Sequence, residues 1–483
     1  MTHGRTFDEL ALGDVVSFTR RFDVTSYEAF ASTTGDRNPL HRDTAYASAT
    51  TFGVPVVPLF LAASPFSAIA GMGLPGVRSL ILESTLRPVA PTPYDTDLVY
   101  SGIVVDRSAA TRTIRLRVLA AHGRTVVVDG RMTVQVRDDG QADADTDELP
   151  VERATEARRA LILGGTGAIG SAIGRALAKE GWELLIQHRP AGRKKAEALA
   201  ATLATDVVLV EADLADATGA SAVAEHLRRS PVLTVVHSAS PPVHDTTATH
   251  VAVGHDSLVA VAHAALPEML RRQQGNVILI GSTAVHHPPG GWEAYVAAKS
   301  ASSSFVDSLH VTYAPYGISA TTVAPSRVLS AFSAGLPGSN AASLLPEEVA
   351  EAVLLEIAGE GGGYVALEPG LRRRGRFGFV ETVARPPTAP PLFAASANVV
   401  ANDVVDDDQQ LDRLVRRYIE AGPGVSLAGA GVGVTPGWNS LAQIEILLAV
   451  ESELGIQFSA TELDETSTFD GLRRLVGVKR HRA

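Results

Sequence analysis

The apolar run Ala160-Leu161-Ile162-Leu163 stops at Gly164-Gly165-Thr166-Gly167-Ala168-Ile169-Gly170, and a helical pattern follows through Ile173, Ala176 and Leu177. Strand, glycine turn and helix in that order constrain this chain more than any other stretch. Glycines there let the backbone approach a ligand closely, and the helix N-terminus behind them suits a dinucleotide pyrophosphate. The turn alone also fits an ordinary tight loop. Further strand-like runs follow: Val207 to Val210 leads into Asp213-Leu214, Val235-Val236 into His237-Ser238-Ala239-Ser240, and Asn276 to Ile280 into Ser282. Alternating strands and helices of this kind build a doubly wound parallel sheet.

The sheet accounts for under half of the chain. At 483 residues there is material for about three domains. Two stretches without hydrophobic periodicity divide it: Asp138 to Arg158, rich in Asp, Ala and Glu, and Arg385 to Asp408, which opens Arg385-Pro386-Pro387-Thr388-Ala389-Pro390-Pro391 and ends in three aspartates. Segments of this composition stay solvated. The expected organisation is 1–138, a linker 139–157, 158–384, a linker 385–408, and 409–483.

Charge and composition narrow the function classes. The net charge of −11 lacks the basic face that nucleic-acid binding needs. Without a cysteine there is no disulfide, thiolate metal site or cysteine nucleophile. We expect a cytoplasmic protein with no metal. Thr44 to Val77 is long enough to span a bilayer, but Pro55, Pro58, Pro65 and Pro75 interrupt it, so we expect a buried helix over Val56 to Ala70 rather than a membrane span.

In the middle block, Ser282 is followed by Tyr295-Val296-Ala297-Ala298-Lys299 and later by Val323-Ala324-Pro325. This block resembles the short-chain dehydrogenase/reductases, especially 3-ketoacyl thioester reductases, and the resemblance implies a Rossmann fold. It implies that Tyr295 donates a proton to the ketone oxygen as hydride arrives. Lys299, one helical turn on, would lower the tyrosine pKa and contact the nicotinamide ribose, while Ser282 would hydrogen-bond the substrate oxygen. Cofactor contacts are expected from Gly164, Thr166, Gly167, Ile169, Gly170, Asp213, Leu214, Ser238 and Ala239, and from Tyr295 and Lys299 as well. The strand Glu183 to Ile186 runs into Gln187-His188-Arg189 with no acid. We therefore expect NADPH, with Arg189 pairing its 2′-phosphate. The chain departs from the family at Gly254, where an active-site asparagine is usual, and at His237-Ser238 and Pro325-Ser326.

In the first block, Val99 to Val105, Ile114 to Ala120 and Thr125 to Val136 read as strands, so one helix wrapped by an antiparallel sheet is expected. Its chemistry sits in Gly35-Asp36-Arg37-Asn38-Pro39-Leu40-His41, followed by Asp43, Tyr46, Ala47, Phe52, Gly53 and Pro55. Here the block resembles MaoC-like (R)-specific enoyl-CoA hydratases, which implies a hotdog fold with Asp36 and His41 as the acid/base pair. Pro58-Leu59 stands where that family has His-Gly.

The last block has a helix face in Leu411, Leu414, Val415 and Tyr418, then Gly437-Trp438-Asn439-Ser440-Leu441 opening a second apolar helix through Ile444, Leu447, Leu448 and Leu454. From Glu420 to Asp470 there are eight acidic residues and no Lys or Arg. A serine heading a helix is also an ordinary N-cap. The block resembles acyl carrier proteins, which implies a small four-helix domain with 4′-phosphopantetheine on Ser440. Asn439 replaces the aspartate usual before that serine.

These readings together describe a reductase–dehydratase for a carrier-bound acyl thioester, in fatty acid or polyketide-type biosynthesis. Expected partners are an acyl thioester on its own or another carrier, a phosphopantetheinyl transferase, and a ketosynthase or other assembly-line enzymes. A second copy of the chain is expected too. Two alternatives stand beside it: a reductase whose hotdog block only binds acyl chains or dimerises, and a non-catalytic carrier scaffold.

Overall fold

The structure is a computed structural model. It describes residues 4–137, 148–153, 158–330, 332–333, 343–359, 361–374, 381–383, 407–416, 419, 427, 430–431, 435, 446–447, 450, 466 and 468–480. The chain separates into two compact bodies, residues 1–387 and 388–483. The first body holds two sheets.

The first sheet is antiparallel. Its strands are β1 (Val15–Arg20), β2 (Ser79–Pro88), β3 (Leu98–Ser108), β4 (Thr113–His122), β5 (Thr125–Val136) and β6 (Val151–Glu152), in the spatial order β2-β5-β4-β3-β1-β6. β3, β4 and β5 fall where alternation places them. β1 and β2 escape that reading, because Leu80-Ile81-Leu82 is a continuous apolar run on an edge strand and all three are exposed. The single helix expected over Val56 to Ala70 is instead two, Leu59–Ala63 and Phe66–Met72. Pro65 between them cannot donate to the first helix and starts the second. The second helix lies directly on β3, since a Cβ at Gly102 would come 2.4 Å from the Ile69 side chain. Tyr100 Oη donates to the Ala62 carbonyl at 2.6 Å, fixing the first helix to the same strand. Among the described residues no helix is long and apolar enough to cross a membrane.

The segment expected as a solvated linker is partly structured. Val151–Glu152 pairs with β1 as β6, and Leu149 packs on the first core. Period-two patterning needs more residues than a strand this short provides.

The second sheet has β7 (Arg159–Leu163), β8 (Glu183–His188), β9 (Val207–Glu211), β10 (Thr234–His237), β11 (Gly275–Ile280), β12 (Ile318–Pro325) and β13 (Gly363–Glu368), with β14 (Leu371–Arg374) and β15 (Glu381–Val383) appended. The order is β15-β14-β13-β12-β11-β10-β7-β8-β9. β7 to β13 pair in parallel, and β14 and β15 antiparallel. Strand order reverses between β7 and β10, the place where doubly wound sheets open a crevice for ligands. The mixed α/β architecture with a Rossmann-like parallel sheet is thus as expected.

The two sheets share one seam. Leu119, Ala121 and Val126 of the first sheet pack in one cluster with Leu266, Tyr313 and Tyr316 of the second domain. At its centre Gln273 is 1% exposed and left-handed, with φ of 50°. Its Oε1 accepts from Arg117 Nε at 2.7 Å, and its Nε2 donates to Ser101 Oγ at 3.0 Å and the Arg117 carbonyl at 3.1 Å. Arg271 and Arg272 close one edge on Glu152, and Arg271 also reaches Ser17 Oγ at 2.9 Å. Gln273→Ala would leave a buried guanidinium and a buried serine short of partners. We expect a loss of about 2 kcal/mol, read by urea denaturation of the full chain.

In the second body, the helices Asp407–Arg416 and Phe469–Arg480 bury Leu411, Leu414, Val415, Phe469, Leu472 and Val476 in one cluster. Asn439 and Ser440 lie outside the described residues.

Candidate active sites

The C-terminal ends of β7, β10, β11 and β12 open on a cavity of about 750 Å³. Thr166, Gly167, Ile169 and Gly170 form one wall, and Ser282, Tyr295 and Lys299 another. Gly164 is left-handed, with φ of 71°, and a Cβ there would sit 2.7 Å from Ala239 Cα, so the glycine turn lies on the loop after β10. Ser238 Oγ donates to the Leu163 carbonyl at 2.7 Å, tying β10 to β7 beneath that turn. The helix Ala168–Lys179 starts at Gly167 with no side-chain cap. Its first N–H groups therefore face the cavity as donors for an anion.

Tyr295 and Lys299 are on the helix Glu293–Tyr313, four residues apart and on one face. Tyr295 is buried, which pushes its phenol up, while a hydrogen bond with the Ser282 side chain pulls the other way. Lys299 Nζ donates to the Ile280 carbonyl at 2.8 Å and lies 5.9 Å from the centre of the Tyr295 ring. Burial pushes its ammonium down to about 8. A phenol, a hydroxyl and an ammonium in one buried group can deliver a proton to a carbonyl oxygen and replace it.

Side chains that no spacing announces surround this group. Trp292 and His250 stand edge-on to the Tyr295 ring at 5.5 and 5.7 Å, and Phe332 is tilted against it at 6.3 Å. Where the family asparagine is missing, the Gly254 carbonyl accepts from Ser302 Oγ at 3.0 Å, inside a π-turn over Ala252–Asp256. His237 is fully buried, with Nε2 at 2.8 Å from Ser257 Oγ, and burial pushes its imidazole down to about 3, so it stays neutral.

Five expected cofactor residues do not line the cavity: Gly164 and Ala239, which pack against each other, and Leu214, Asp213 and Arg189. Leu214 is 4% exposed and belongs to the core. Asp213 caps its own turn, Oδ1 accepting from Ala215 N at 3.0 Å. Arg189 is exposed and does not line the cavity. Lys195, which sequence reading missed, does. The residues present still fit a dinucleotide: an uncapped helix start opens on a cavity lined by Lys195, Lys299 and Arg327 and, among the described residues, by no carboxylate.

The second site is in the first sheet's domain. Asp36 Oδ1 accepts from Asn38 N at 3.1 Å, and Asn38 Oδ1 accepts from Leu40 N at 3.0 Å, which curls the chain into the turn Pro39–His41. That turn carries His41 back towards Asp36, with Nε2 and Oδ2 at 3.9 Å. His41 Nδ1 lies 2.7 Å from the Val56 carbonyl. A carbonyl only accepts, so Nδ1 donates, and Nε2 is left facing the carboxylate. The separation is too long for a direct hydrogen bond but lets both atoms share one oxygen between them. Nearby, the helix Leu59–Ala63 starts on Pro58, and its first-turn N–H groups lack intrahelical acceptors. Asp36 both caps a turn and faces His41, so its structural and chemical roles coexist.

Comparison with known proteins places both domains. The (R)-specific enoyl-CoA hydratase of Aeromonas caviae is 33% identical over 131 residues, covering 26% of this chain and 96% of that protein. Through its N-terminal domain, the chain belongs to that hydratase family. The solved structure of the (R)-hydratase from A. caviae involved in PHA biosynthesis is 29% identical, covers 26% of this chain and 98% of its own, and has a TM-score of 0.26. The short chain dehydrogenase family matches residues 158–338. A polyketide synthase of Streptomyces halstedii, GfsA, is 34% identical over 181 residues, which is 34% of this chain and 2% of that one. A hydratase-type and an oxidoreductase-type domain thus stand in one chain.

Proposed function

We propose that the chain reduces a carrier-bound 3-ketoacyl thioester with NADPH to the (R)-3-hydroxyacyl thioester and then removes water to give the trans-2-enoyl thioester. One observation carries this reading. The Ser282–Tyr295–Lys299 group and the Asp36–His41 pair stand in one covalent chain, and the product of the first chemistry is the substrate of the second.

NADPH would supply the hydride to the C3 carbonyl carbon. Ser282 holds the carbonyl oxygen and Tyr295 gives it a proton, so the ketone becomes a hydroxyl. Lys299 stabilises the phenolate left behind. In the hydratase site, the Asp36–His41 pair takes a proton from C2 and returns one to the departing C3 hydroxide, which leaves as water. The first-turn N–H groups at Leu59 can receive the thioester oxygen as charge gathers on it.

The carrier role is assigned to Ser440, where a phosphopantetheinyl transferase would attach 4′-phosphopantetheine. A tethered substrate meets both sites at high effective concentration. The acidic run from Glu420 to Asp470 suits basic faces on that transferase and on a ketosynthase or other assembly-line enzyme. A second copy of the chain is supported by β2, an edge strand with Leu80, Ile81 and Leu82 exposed. The hydratase-family match favours a catalytic first domain over one that only binds acyl chains or dimerises.

The test is intact-mass analysis of the pantetheinylated chain, loaded with a 3-ketoacyl group and given NADPH. A gain of two mass units, then a loss of eighteen, is expected, about 2 and about 18 Da from adding H₂ and removing H₂O. Ser440→Ala should take no pantetheine at all while free thioester surrogates are still turned over. Pantetheinylation of Ser440→Ala, or a loaded chain unchanged by NADPH, would overturn this reading.

A further inference from the structure

The end of β8 decides which dinucleotide the cavity prefers. Gln187 stands where an acid would hold a ribose diol. It is 1% exposed and turned inward, its Oε1 accepting from Gly164 N at 2.8 Å and its Nε2 donating to the Ala212 carbonyl at 2.7 Å. That amide staples the glycine turn to its neighbours and carries no negative charge to oppose a phosphate. Beyond it the chain folds back through Pro190–Gly192, where a Cβ at Gly192 would come 3.5 Å from Thr166 Oγ1. The backbone after β8 therefore lies against the glycine turn, and the helix Arg193–Ala200 begins at once.

We infer that Lys195, in the first turn of this helix, is the residue that reads the 2′-phosphate of the cofactor, in preference to Arg189. The inference rests on the NADPH reading of this cavity and names its specificity residue. Lys195 lines the cavity, as Thr166 and Gly167 do, and Arg189 does not. The cavity's other cations are already engaged, Lys299 on the Ile280 carbonyl at 2.8 Å and Arg327 on the Ser333 carbonyl at 2.9 Å. Arg193 is held by Glu211 at 2.9 Å. Among the described residues no carboxylate lines the cavity to oppose a dianion. An ammonium on a flexible stem suits a phosphate as a point charge.

The experiment is equilibrium binding to the cofactor-free full chain, by calorimetry, with adenosine 2′,5′-bisphosphate and 5′-AMP as probes. They differ only in the 2′-phosphate. Wild type should bind the bisphosphate more tightly. Lys195→Ala should lose about 10- to 100-fold for the bisphosphate, the size of one charge-assisted hydrogen bond, and nothing for 5′-AMP. Lys195→Arg should keep most of the affinity, and Arg189→Ala should change either probe by less than about threefold. If wild type discriminates but the loss falls on Arg189→Ala, or on neither variant, the assignment to Lys195 is overturned while the NADPH reading survives. If wild type binds both probes alike, both fall. Unchanged 5′-AMP binding by Lys195→Ala shows that a loss is not misfolding.

Discussion

Tyr295→Phe is expected to cut reduction of a 3-ketoacyl thioester by about 10²–10⁴-fold, the usual contribution of a positioned acid/base group. The substitution keeps the ring, and with it the edge contacts of Trp292 and His250 and the neighbouring Lys299 ammonium. It removes only the hydroxyl that pairs with Ser282. Dinucleotide binding should stay within about threefold of wild type, because the glycine turn and the wall opposite are untouched. Steady-state oxidation of NADPH with a soluble thioester surrogate measures the first effect, and calorimetry with NADPH the second. Retention of more than about a tenth of the rate would remove Tyr295 from the proton path.

Asp36→Asn should stop the sequence one step later. The asparagine side chain keeps an oxygen to accept the Asn38 N–H, so the turn that presents His41 should hold. The basic oxygen facing His41 Nε2 is gone. Hydration of a trans-2-enoyl thioester, followed by loss of absorbance of the conjugated substrate, should fall by about 10²–10⁴-fold. Ketone reduction by the same variant should be unchanged, since the two sites are built on different sheets. Running the reaction in the hydration direction matters, because dehydration can be masked by an equilibrium that favours the hydroxyacyl form. Equal hydration by wild type and Asp36→Asn would reassign the first domain to acyl binding or dimerisation.

The arrangement of the first body bears on how such steps are ordered. The seam at Gln273 and Arg117 joins the hotdog-type and Rossmann-type domains through buried hydrogen bonds and a shared apolar cluster. A seam of that kind resists relative motion. Exchange of substrate between the two sites then depends on what carries the acyl chain. The carrier role proposed for Ser440 would answer that need, which is why intact-mass analysis of the loaded chain is more informative than assays on free thioesters.

Much of this molecule follows from local sequence alone. Strand, glycine turn and helix from Ala160 to Leu177 needs only hydrophobic periodicity and the conformational freedom of Gly164, and the fold agrees. The pairing of Tyr295 with Lys299 is likewise local, because four residues make one helical turn. Asp36 and His41 are brought together by hydrogen bonds between near neighbours, so six residues of sequence carry that geometry. Long-range contacts decided the rest. β6 is two residues long and gains its identity only from β1 beside it. The split at Pro65 is written in the sequence, but where each half packs is set by Gly102 and Tyr100, thirty and more residues away. Lys195 is one of several basic residues after β8, and only the fold-back of Pro190–Gly192 against Thr166 separates it from Arg189. Periodicity and spacing report on a residue's own element; which side chains from different elements share a cavity depends on packing, which no local pattern encodes.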